Sequence, residues 1–218
     1  MARTIIYAIR HADVANPKKL LYGHLPGFHL SEKGKKQAEY LGKHLSSAEI
    51  REIVHSPLER AKETAEIVAA QFNSPVPLKE DVRLTEAYFS KYLQGVPFRQ
   101  IPIRRPLWWI HMVKRGILPN DESVDQMASR VFEVILELKQ RNYGKAAALV
   151  SHADPLAALW AKLNNKKRMI RYDAYPGRAC YYKLVFDDDV LSSIEYVNPF
   201  KQEMLDNEPD KQLRTSSR

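Results

Sequence analysis

The amino-acid sequence predicts an α/β fold: a three-layer sandwich in which a mostly parallel central sheet has helices on both faces, with an inserted cap segment. Short apolar runs alternate with amphipathic helical patterns along the chain, and this alternation favours a sheet that is covered by helices. The apolar runs are nearly continuous, as in strands that are buried on both faces. An irregular aromatic and basic stretch at about 87–120 interrupts the alternation and is interpreted as the cap.

Local patterns locate the elements in the first half of the chain. The apolar run at Arg3–Ile9 predicts a buried strand, and 50–55 predicts a second one. Ser31 is a suitable N-cap for the helix between them. The sequence Ser56–Glu59 has the pattern of a capping box with proline at the first helical position, for a helix that ends at about Phe72.

The same reasoning predicts the elements in the second half. Ser123 opens another capping box, and its helix is expected to reach about Arg141. Ala146–Ser151 is apolar and predicts a strand, after which Asp154 is expected to be the N-cap of the next helix. Two later apolar runs are expected to pair as a hairpin: 179–186 and 190–197.

The composition is that of a globular protein that needs no covalent staple. Hydrophobic residues make up 44% of the 218 residues, and the single cysteine, Cys180, excludes an internal disulfide. We expect one domain over 1–200 and a polar, flexible tail over 201–218. The sequence has neither a signal-peptide pattern nor an apolar run of about 18 residues, so we expect a cytoplasmic protein with no membrane partner.

The formal charge of +8 is concentrated in two basic segments. The segment 87–120 contains six lysines and arginines and no acidic residue, and 160–183 also has a net charge of +6. Such segments attract phosphorylated metabolites, nucleic acid or anionic membranes. A solvated surface explains them equally well, so charge alone leaves these alternatives open.

Arginines and histidines follow the ends of the predicted strands. Arg10 and His11 come directly after the first strand, Arg60 lies in the first turn of the second helix, and His152 follows a later strand. In α/β sheets the carboxyl ends of the strands surround the site. Arginine forks bind phosphate, a neutral imidazole can attack phosphorus, and a protonated one stabilises the transferring group. These side chains therefore predict a phosphate site.

Five motifs, in this order along the chain, resemble the histidine phosphatase superfamily: IRHA at 9–12, GFHLSEKGKKQA at 27–38, SPLERAKETA at 56–65, LTE at 84–86 and LVSHA at 149–153. This family contains cofactor-dependent phosphoglycerate mutases and broad-specificity phosphatases. The resemblance implies a three-layer α/β fold that uses no metal and no organic cofactor.

The resemblance also implies individual roles. The family's phosphohistidine falls on His11, its phosphate-binding arginines on Arg10 and Arg60, and its second histidine on His152. The leucine-x-glutamate stretch matches the family's proton donor at Glu86. On this reading His11, Glu86 and His152 are the catalytic residues.

Backbone groups are expected to complete the phosphate site, and here the sequence departs from the family. Gly23 and Ala153 are expected to offer backbone N–H groups to the phosphate. Ala153 and Ala12 stand where the family usually has glycine, and 88–90 replaces the aromatic-glycine dipeptide that often follows the donor glutamate. The departure at 88–90 concerns the leaving-group side of the site.

The identity of the proton donor stays open at this point. Glu86 is the first choice, because a leaving alcohol needs a carboxylic acid with a raised pKa. Asp13 and Asp154 are alternatives, since each lies within two residues of a motif histidine. For Asp154 a helix-capping role is favoured.

The favoured function is hydrolysis of phosphate monoesters through a phosphohistidine on His11. The expected partner is a small phosphorylated substrate. A phosphomutase that uses the same intermediate is the main alternative, and a protein phosphohistidine phosphatase is a further one. A non-catalytic anion or nucleic-acid binder is the alternative of another class, although nucleic acid is not favoured as a partner. A homodimer is left open.

Overall fold

The computed structural model describes residues 2–88, 93–109, 122–165 and 175–202. In these residues six strands form one sheet: β1 (Arg3–Arg10), β2 (Ile50–His55), β3 (Leu78–Glu80), β4 (Ala146–Ser151), β5 (Tyr181–Asp187) and β6 (Val190–Val197). Their order is β3-β2-β4-β1-β5-β6. The first four in this order run parallel, and β5 and β6 are antiparallel to their neighbours. The expected mostly parallel sheet is confirmed.

Helices connect the strands. The α-helices of the described chain are α1 (Glu32–Leu45), α2 (Glu59–Ala69), α3 (Ile101–Arg104), α4 (Val124–Arg141) and α5 (Ala153–Leu163). Short 3-10 turns lie at Ser46–Ala48, Val82–Leu84, Phe98–Gln100 and Pro199–Gln202.

Alternate residues of the central strand β1 face two separate cores. Tyr7 and Ile9 belong to a cluster that includes residues of α1 and α2. Ile6 and Ala8 belong to a second cluster with α4 and α5. Because successive side chains of a strand point to opposite faces, the sheet lies between two helical layers. The predicted three-layer sandwich is therefore confirmed.

Strand register brings the polar strand ends together. Arg10 on β1 is paired with Ser151 on the parallel strand β4. The next backbone hydrogen bond runs from the N–H of His11 to the carbonyl of Ser151, at 3.0 Å. The residues that follow these two strands, His11 and His152, are consequently neighbours.

Two of the four predicted helix starts are confirmed. The Ser31 hydroxyl accepts the N–H of Gly34 at 3.0 Å, as an N-cap does. Ser123 and Gln126 form the reciprocal capping box at the start of α4. Both caps are local in sequence, which is why the sequence predicts them.

The other two predicted helix starts are wrong. Helix α2 begins at Glu59 after Leu58, without a side-chain cap, rather than at Pro57. Ser56 is no capping-box residue, because its hydroxyl contacts His152, 2.8 Å away. Asp154 is not an N-cap either: α5 begins at Ala153, and His152 is the capping position.

The expected cap at 87–120 is described only in part. Over 93–109 it contains two short helices, at Phe98–Gln100 and Ile101–Arg104. The rest of the cap, and the tail beyond 202, lie outside the described residues. The division into one domain and a tail stays a prediction. No helix of the described chain is long and apolar enough to cross a membrane.

Candidate active site

Two buried imidazoles form the centre of the strand-end site. The ring centroids of His11 and His152 are 5.1 Å apart, with an angle of 56° between the ring planes. The exposed fractions of the two residues are 1% and 0%. Both rings are therefore shielded from bulk water, and their protonation depends on the groups around them.

The tautomer of His11 follows from its main-chain contact. Its Nδ1 lies 2.8 Å from the carbonyl oxygen of Ala12. A carbonyl only accepts hydrogen bonds, so Nδ1 carries the proton and Nε2 keeps its lone pair. Burial holds the pKa of His11 well below its usual range, and the charges of Arg60, Arg10 and Arg178 lower it further. His11 is thus a neutral imidazole with a nucleophilic Nε2.

His152 is oriented by a serine from the neighbouring strand end. Its Nε2 lies 2.8 Å from the hydroxyl of Ser56, which also accepts the N–H of Leu58 at 3.3 Å. This geometry favours donation of the hydroxyl proton to Nε2, which leaves the ring proton on Nδ1. Within the described residues Nδ1 is buried and has no hydrogen-bond partner. Burial and the charge of Arg60 hold the pKa of His152 well below its usual range.

Arg60 is a fully buried cation in the first turn of α2. Its Nη2 donates to the carbonyl of Gly23 at 2.9 Å, and its guanidinium carbon lies 4.7 Å from the ring centroid of Tyr22. Its Nε and Nη1 are buried without a hydrogen-bond partner among the described residues. Burying a cation with unpaired donors is destabilising. Such a group suits an anion that enters the site.

Gly23 contributes to the site through its carbonyl oxygen. This oxygen accepts a hydrogen bond from the Arg60 guanidinium. Gly23 has a φ of +45°, a left-handed conformation that favours glycine. The predicted contact between the Gly23 N–H and phosphate stays a prediction. Ala153 is the first residue of α5, where backbone N–H groups have no partner within the helix.

Arg178 is a site residue that sequence reasoning missed. Antiparallel pairing places Ile9 opposite Tyr181, so the chain before β5 runs beside the end of β1. In this segment the carbonyl of Pro176 accepts a hydrogen bond from Arg10 Nη1 at 2.9 Å. The charge of Arg178 is close enough to lower the pKa of His11. Its sequence signal was only its place in a basic segment.

Glu86 is a buried carboxyl group with an altered pKa. Its residue is 8% exposed, and its Oε1 accepts the N–H of Ala87 at 2.9 Å. Burial, followed by the negative charge of Asp154, raises the pKa of Glu86 to about 7. At neutral pH the group is therefore divided between its acid and base forms, which is what a group that gives and takes protons needs.

The two alternative donors have other contacts. The Asp13 carboxylate accepts the Ser31 hydroxyl at 2.6 Å, and its other oxygen lies 3.4 Å from Nη1 of Arg178. Asp13 thereby links the start of α1 to Arg178. Asp154 is buried in the first turn of α5 and acts on Glu86 through its charge.

The site combines cations, neutral imidazoles and one carboxyl group that is partly protonated. This set can bind an anion, offer a nitrogen nucleophile to it and supply a proton. Among the described residues, no three histidine, cysteine, aspartate or glutamate side chains are grouped as a metal site would require.

Comparison with known proteins agrees with the motifs. The family model of the histidine phosphatase superfamily (branch 1) matches residues 6–198. The chain is 30% identical over 202 residues to the uncharacterized protein Rv0525 of Mycobacterium tuberculosis. The aligned region covers 90% of this chain and 96% of that protein. It is 31% identical over 160 residues to phosphoserine phosphatase 1 of Hydrogenobacter thermophilus, covering 71% and 74% of the two chains.

The fold is also that of solved structures. The structure of Bacillus stearothermophilus YhfR superposes with a TM-score of 0.78 at 23% identity, covering 91% of this chain and all of that one, 100%. The match of the family model to nearly the whole chain, with the fold and the motifs at the strand ends, shows that the chain belongs to the histidine phosphatase superfamily.

Proposed function

We propose that the protein is a phosphatase that hydrolyses phosphate monoesters through a phosphohistidine on His11. The observation that carries the proposal is the neutral His11 ring, whose Nδ1 donates to Ala12 and whose Nε2 is therefore free to attack. The charges of Arg60, Arg10 and Arg178 act on this ring, and the Arg60 guanidinium is fully buried. Such a set of cations suits a phosphate dianion. The related phosphoserine phosphatase supports a phosphate monoester as the substrate class.

In the first half of the reaction, Nε2 of His11 forms a bond to phosphorus and the bond between phosphorus and the ester oxygen breaks. Arg10, Arg60 and His152 bind the phosphoryl oxygens and stabilise their charge. The Glu86 carboxyl gives its proton to the departing oxygen, so an alcohol leaves. Its pKa of about 7 keeps much of the group protonated at neutral pH.

In the second half, the Glu86 carboxylate takes a proton from a water molecule. The water oxygen forms a bond to phosphorus, and the bond to Nε2 of His11 breaks. Inorganic phosphate leaves, His11 is again neutral, and Glu86 is again protonated. One group with a pKa of about 7 can perform both proton transfers because both of its forms are populated.

Steady-state phosphate release from a panel of alkyl and aryl monoesters tests the proposal. Wild type is compared with His11→Ala and with His29→Ala, a control at an exposed histidine that contacts Glu63. We expect release to be lost only in His11→Ala. Unchanged release in His11→Ala overturns the proposal.

Two other outcomes would replace the phosphatase with the alternatives. Transfer of labelled phosphate between phosphoglycerates, without release to water, would identify a phosphomutase. Anion or nucleic-acid binding without turnover, with an affinity that falls steeply with salt and survives His11→Ala, would identify a binding protein.

A further inference from the structure

We propose that Arg130, on α4, is the positioning residue that holds Glu86 in place for proton transfer. The inference rests on the proposed function, because it requires Glu86 to protonate the leaving group. Arg130 belongs to none of the motifs at the strand ends. It acts on Glu86 through the main chain.

The guanidinium of Arg130 binds the turn that carries Glu86. Its Nη1 donates to the carbonyls of Arg83 and Thr85, the latter at 2.8 Å. Its Nη2 donates to the carbonyl of Glu86 at 3.4 Å. One rigid, planar group thus fixes three carbonyls of the turn that ends at Glu86.

The carboxylate of Glu122 holds the guanidinium of Arg130 in place. Nε of Arg130 donates to Oε1 of Glu122 at 2.6 Å, and Nη2 donates to Oε2 at 3.0 Å. The two side chains are only 13% and 11% exposed. A bidentate pair of this kind restrains the plane of the guanidinium as well as its position. The orientation of Arg130, and hence of the turn, is set by Glu122.

Arg130 also links the two sides of the expected cap. Glu86 stands immediately before the 87–120 segment, and Glu122 stands just after it. Both contact the same guanidinium. A change in the relative position of these two chain segments would therefore be transmitted to the main chain of Glu86.

A second donor reaches the same carbonyl from another loop. His24 Nε2 donates to the carbonyl of Glu86 at 2.8 Å, and the His24 ring stacks on Tyr88 at 4.6 Å. His24 contacts the main chain at Glu86 and Ala87, whereas Arg130 holds three carbonyls between Arg83 and Glu86. For this reason Arg130 is the group that sets the orientation of the turn.

The rate of proton transfer depends on the position of the Glu86 carboxyl. A general acid protonates the leaving oxygen only within hydrogen-bond reach, and a displacement of about 1 Å can lower a rate on the order of 100-fold. The Glu86 carboxyl already accepts the N–H of Ala87, so its side chain follows its own main chain closely. Holding the main chain therefore holds the acid.

Leaving-group dependence distinguishes positioning of the acid from general support of the fold. An alkyl phosphate needs protonation of its leaving oxygen. The p-nitrophenolate that leaves from p-nitrophenyl phosphate departs readily without a proton. We expect Arg130→Met to lower kcat/KM for an alkyl monoester by roughly 10- to 100-fold, and for the nitrophenyl ester by less than about threefold. Glu86→Gln should show the same selectivity, and Arg130→Lys should fall between Arg130→Met and wild type.

Arg141→Met is the matched control. Arg141 is on the same helix and pairs with the buried Glu52 at 3.1 Å, away from the strand-end site. We expect it to change kcat/KM for the two esters by the same small factor. If Arg130→Met does not fold, Glu122→Gln removes the charge that holds the guanidinium and should show the same leaving-group selectivity.

Equal loss with both esters in Arg130→Met, or in Glu122→Gln where that variant is used, would overturn the inference. So would a loss of thermal stability with unchanged leaving-group dependence. The proposed function fails separately, if His11→Ala still turns over the nitrophenyl ester as wild type does. If His11→Ala abolishes turnover but Glu86→Gln is not selective, the assignment of Glu86 is wrong and the role of Arg130 falls with it.

Discussion

The imidazole rings of His11 and His152 lie 5.1 Å apart because β1 and β4 run parallel with Arg10 opposite Ser151. A shift of one residue in this pairing would turn the side chains of a whole strand to the other face of the sheet. The buried clusters on both faces prevent such a shift. The geometry of the site is therefore a consequence of how the core packs.

The buried charge of Arg60 predicts opposite effects on activity and stability. Arg60→Met should lower kcat/KM by roughly 100-fold or more, because the donors that we propose bind the phosphoryl oxygens are lost. Without a bound anion it should stabilise the fold by about 1 kcal/mol, since an incompletely paired buried cation is removed. Phosphate release and thermal unfolding measure the two effects.

Inorganic phosphate separates these effects further. It should raise the Tm of wild type through binding to the folded state, and raise that of Arg60→Met much less. Lys62→Met, at an exposed lysine of the same helix, is the control and should behave as wild type. An equal phosphate-induced shift in Arg60→Met would contradict the assignment of Arg60 as a phosphate ligand.

The raised pKa of Glu86 predicts the pH dependence of phosphoryl transfer to His11. Because the acid form is needed, kcat/KM for an alkyl monoester should fall as pH rises above about 7. His11, whose pKa is well below its usual range, adds no acid limb near neutrality. The second ionisation of the substrate, at about 6, limits the acid side.

Glu86→Gln should remove the alkaline limb as well as lower the rate. The comparison of full pH profiles of kcat/KM for the two proteins measures this. A limb that persists unchanged in Glu86→Gln would assign the proton donor to another group, and Asp154, a buried carboxylate whose charge acts on Glu86, would be the first candidate.

The same pKa shift predicts that Glu86 destabilises the fold at high pH. An acid whose pKa is raised from 4.5 to about 7 on folding leaves stability intact below 4.5, and stability is lost as pH rises through this window. Glu86→Gln escapes this loss and still offers an oxygen to the N–H of Ala87. It should be more stable than wild type by up to roughly 3 kcal/mol at pH values above the window.

Urea unfolding at about pH 4.5 and about pH 8 checks the sign. The stability difference between Glu86→Gln and wild type should be small at the lower pH and should favour the variant at the higher pH. A difference that does not change with pH would show that the Glu86 carboxyl titrates at its ordinary pKa.

Ser56 is predicted to act through His152. Ser56→Ala removes the hydroxyl that lies 2.8 Å from Nε2, so the orientation and tautomer of the ring are no longer fixed. We expect kcat/KM to fall by roughly tenfold, as the loss of one good hydrogen bond predicts. Ser46→Ala, which removes a serine contact with the Lys43 carbonyl on the exposed end of α1, should leave activity unchanged. Equal kinetics in Ser56→Ala and wild type would remove Ser56 from the site.

Local signals account for what the sequence predicted well. The caps at Ser31 and Ser123 depend on residues three positions away, so their patterns are visible in the sequence. The runs that form β1 and β4 are apolar because both faces of these strands are buried. From such strands the cluster of Arg10, His11 and His152 follows by topology alone.

Tertiary contacts account for what the sequence did not predict. Leu78–Glu80 is an exposed edge strand that joins the sheet through its backbone, so it carries no apolar pattern. Ser56 has the pattern of a cap, but His152, distant in sequence, uses its hydroxyl. The charge of Arg178 acts on His11 because the pairing of β5 with β1 brings the two chain segments together, which no local pattern reveals.

Direct trapping of the phosphoenzyme tests the central claim. A slight excess of enzyme is mixed with a ³²P-labelled monoester, quenched in alkali within one turnover and digested for peptide mapping. We predict an acid-labile, alkali-stable label on the peptide that contains His11, formed and lost at rates that account for phosphate release, and absent from His11→Ala. Release of phosphate without this label, or with the label on another residue, would contradict the account.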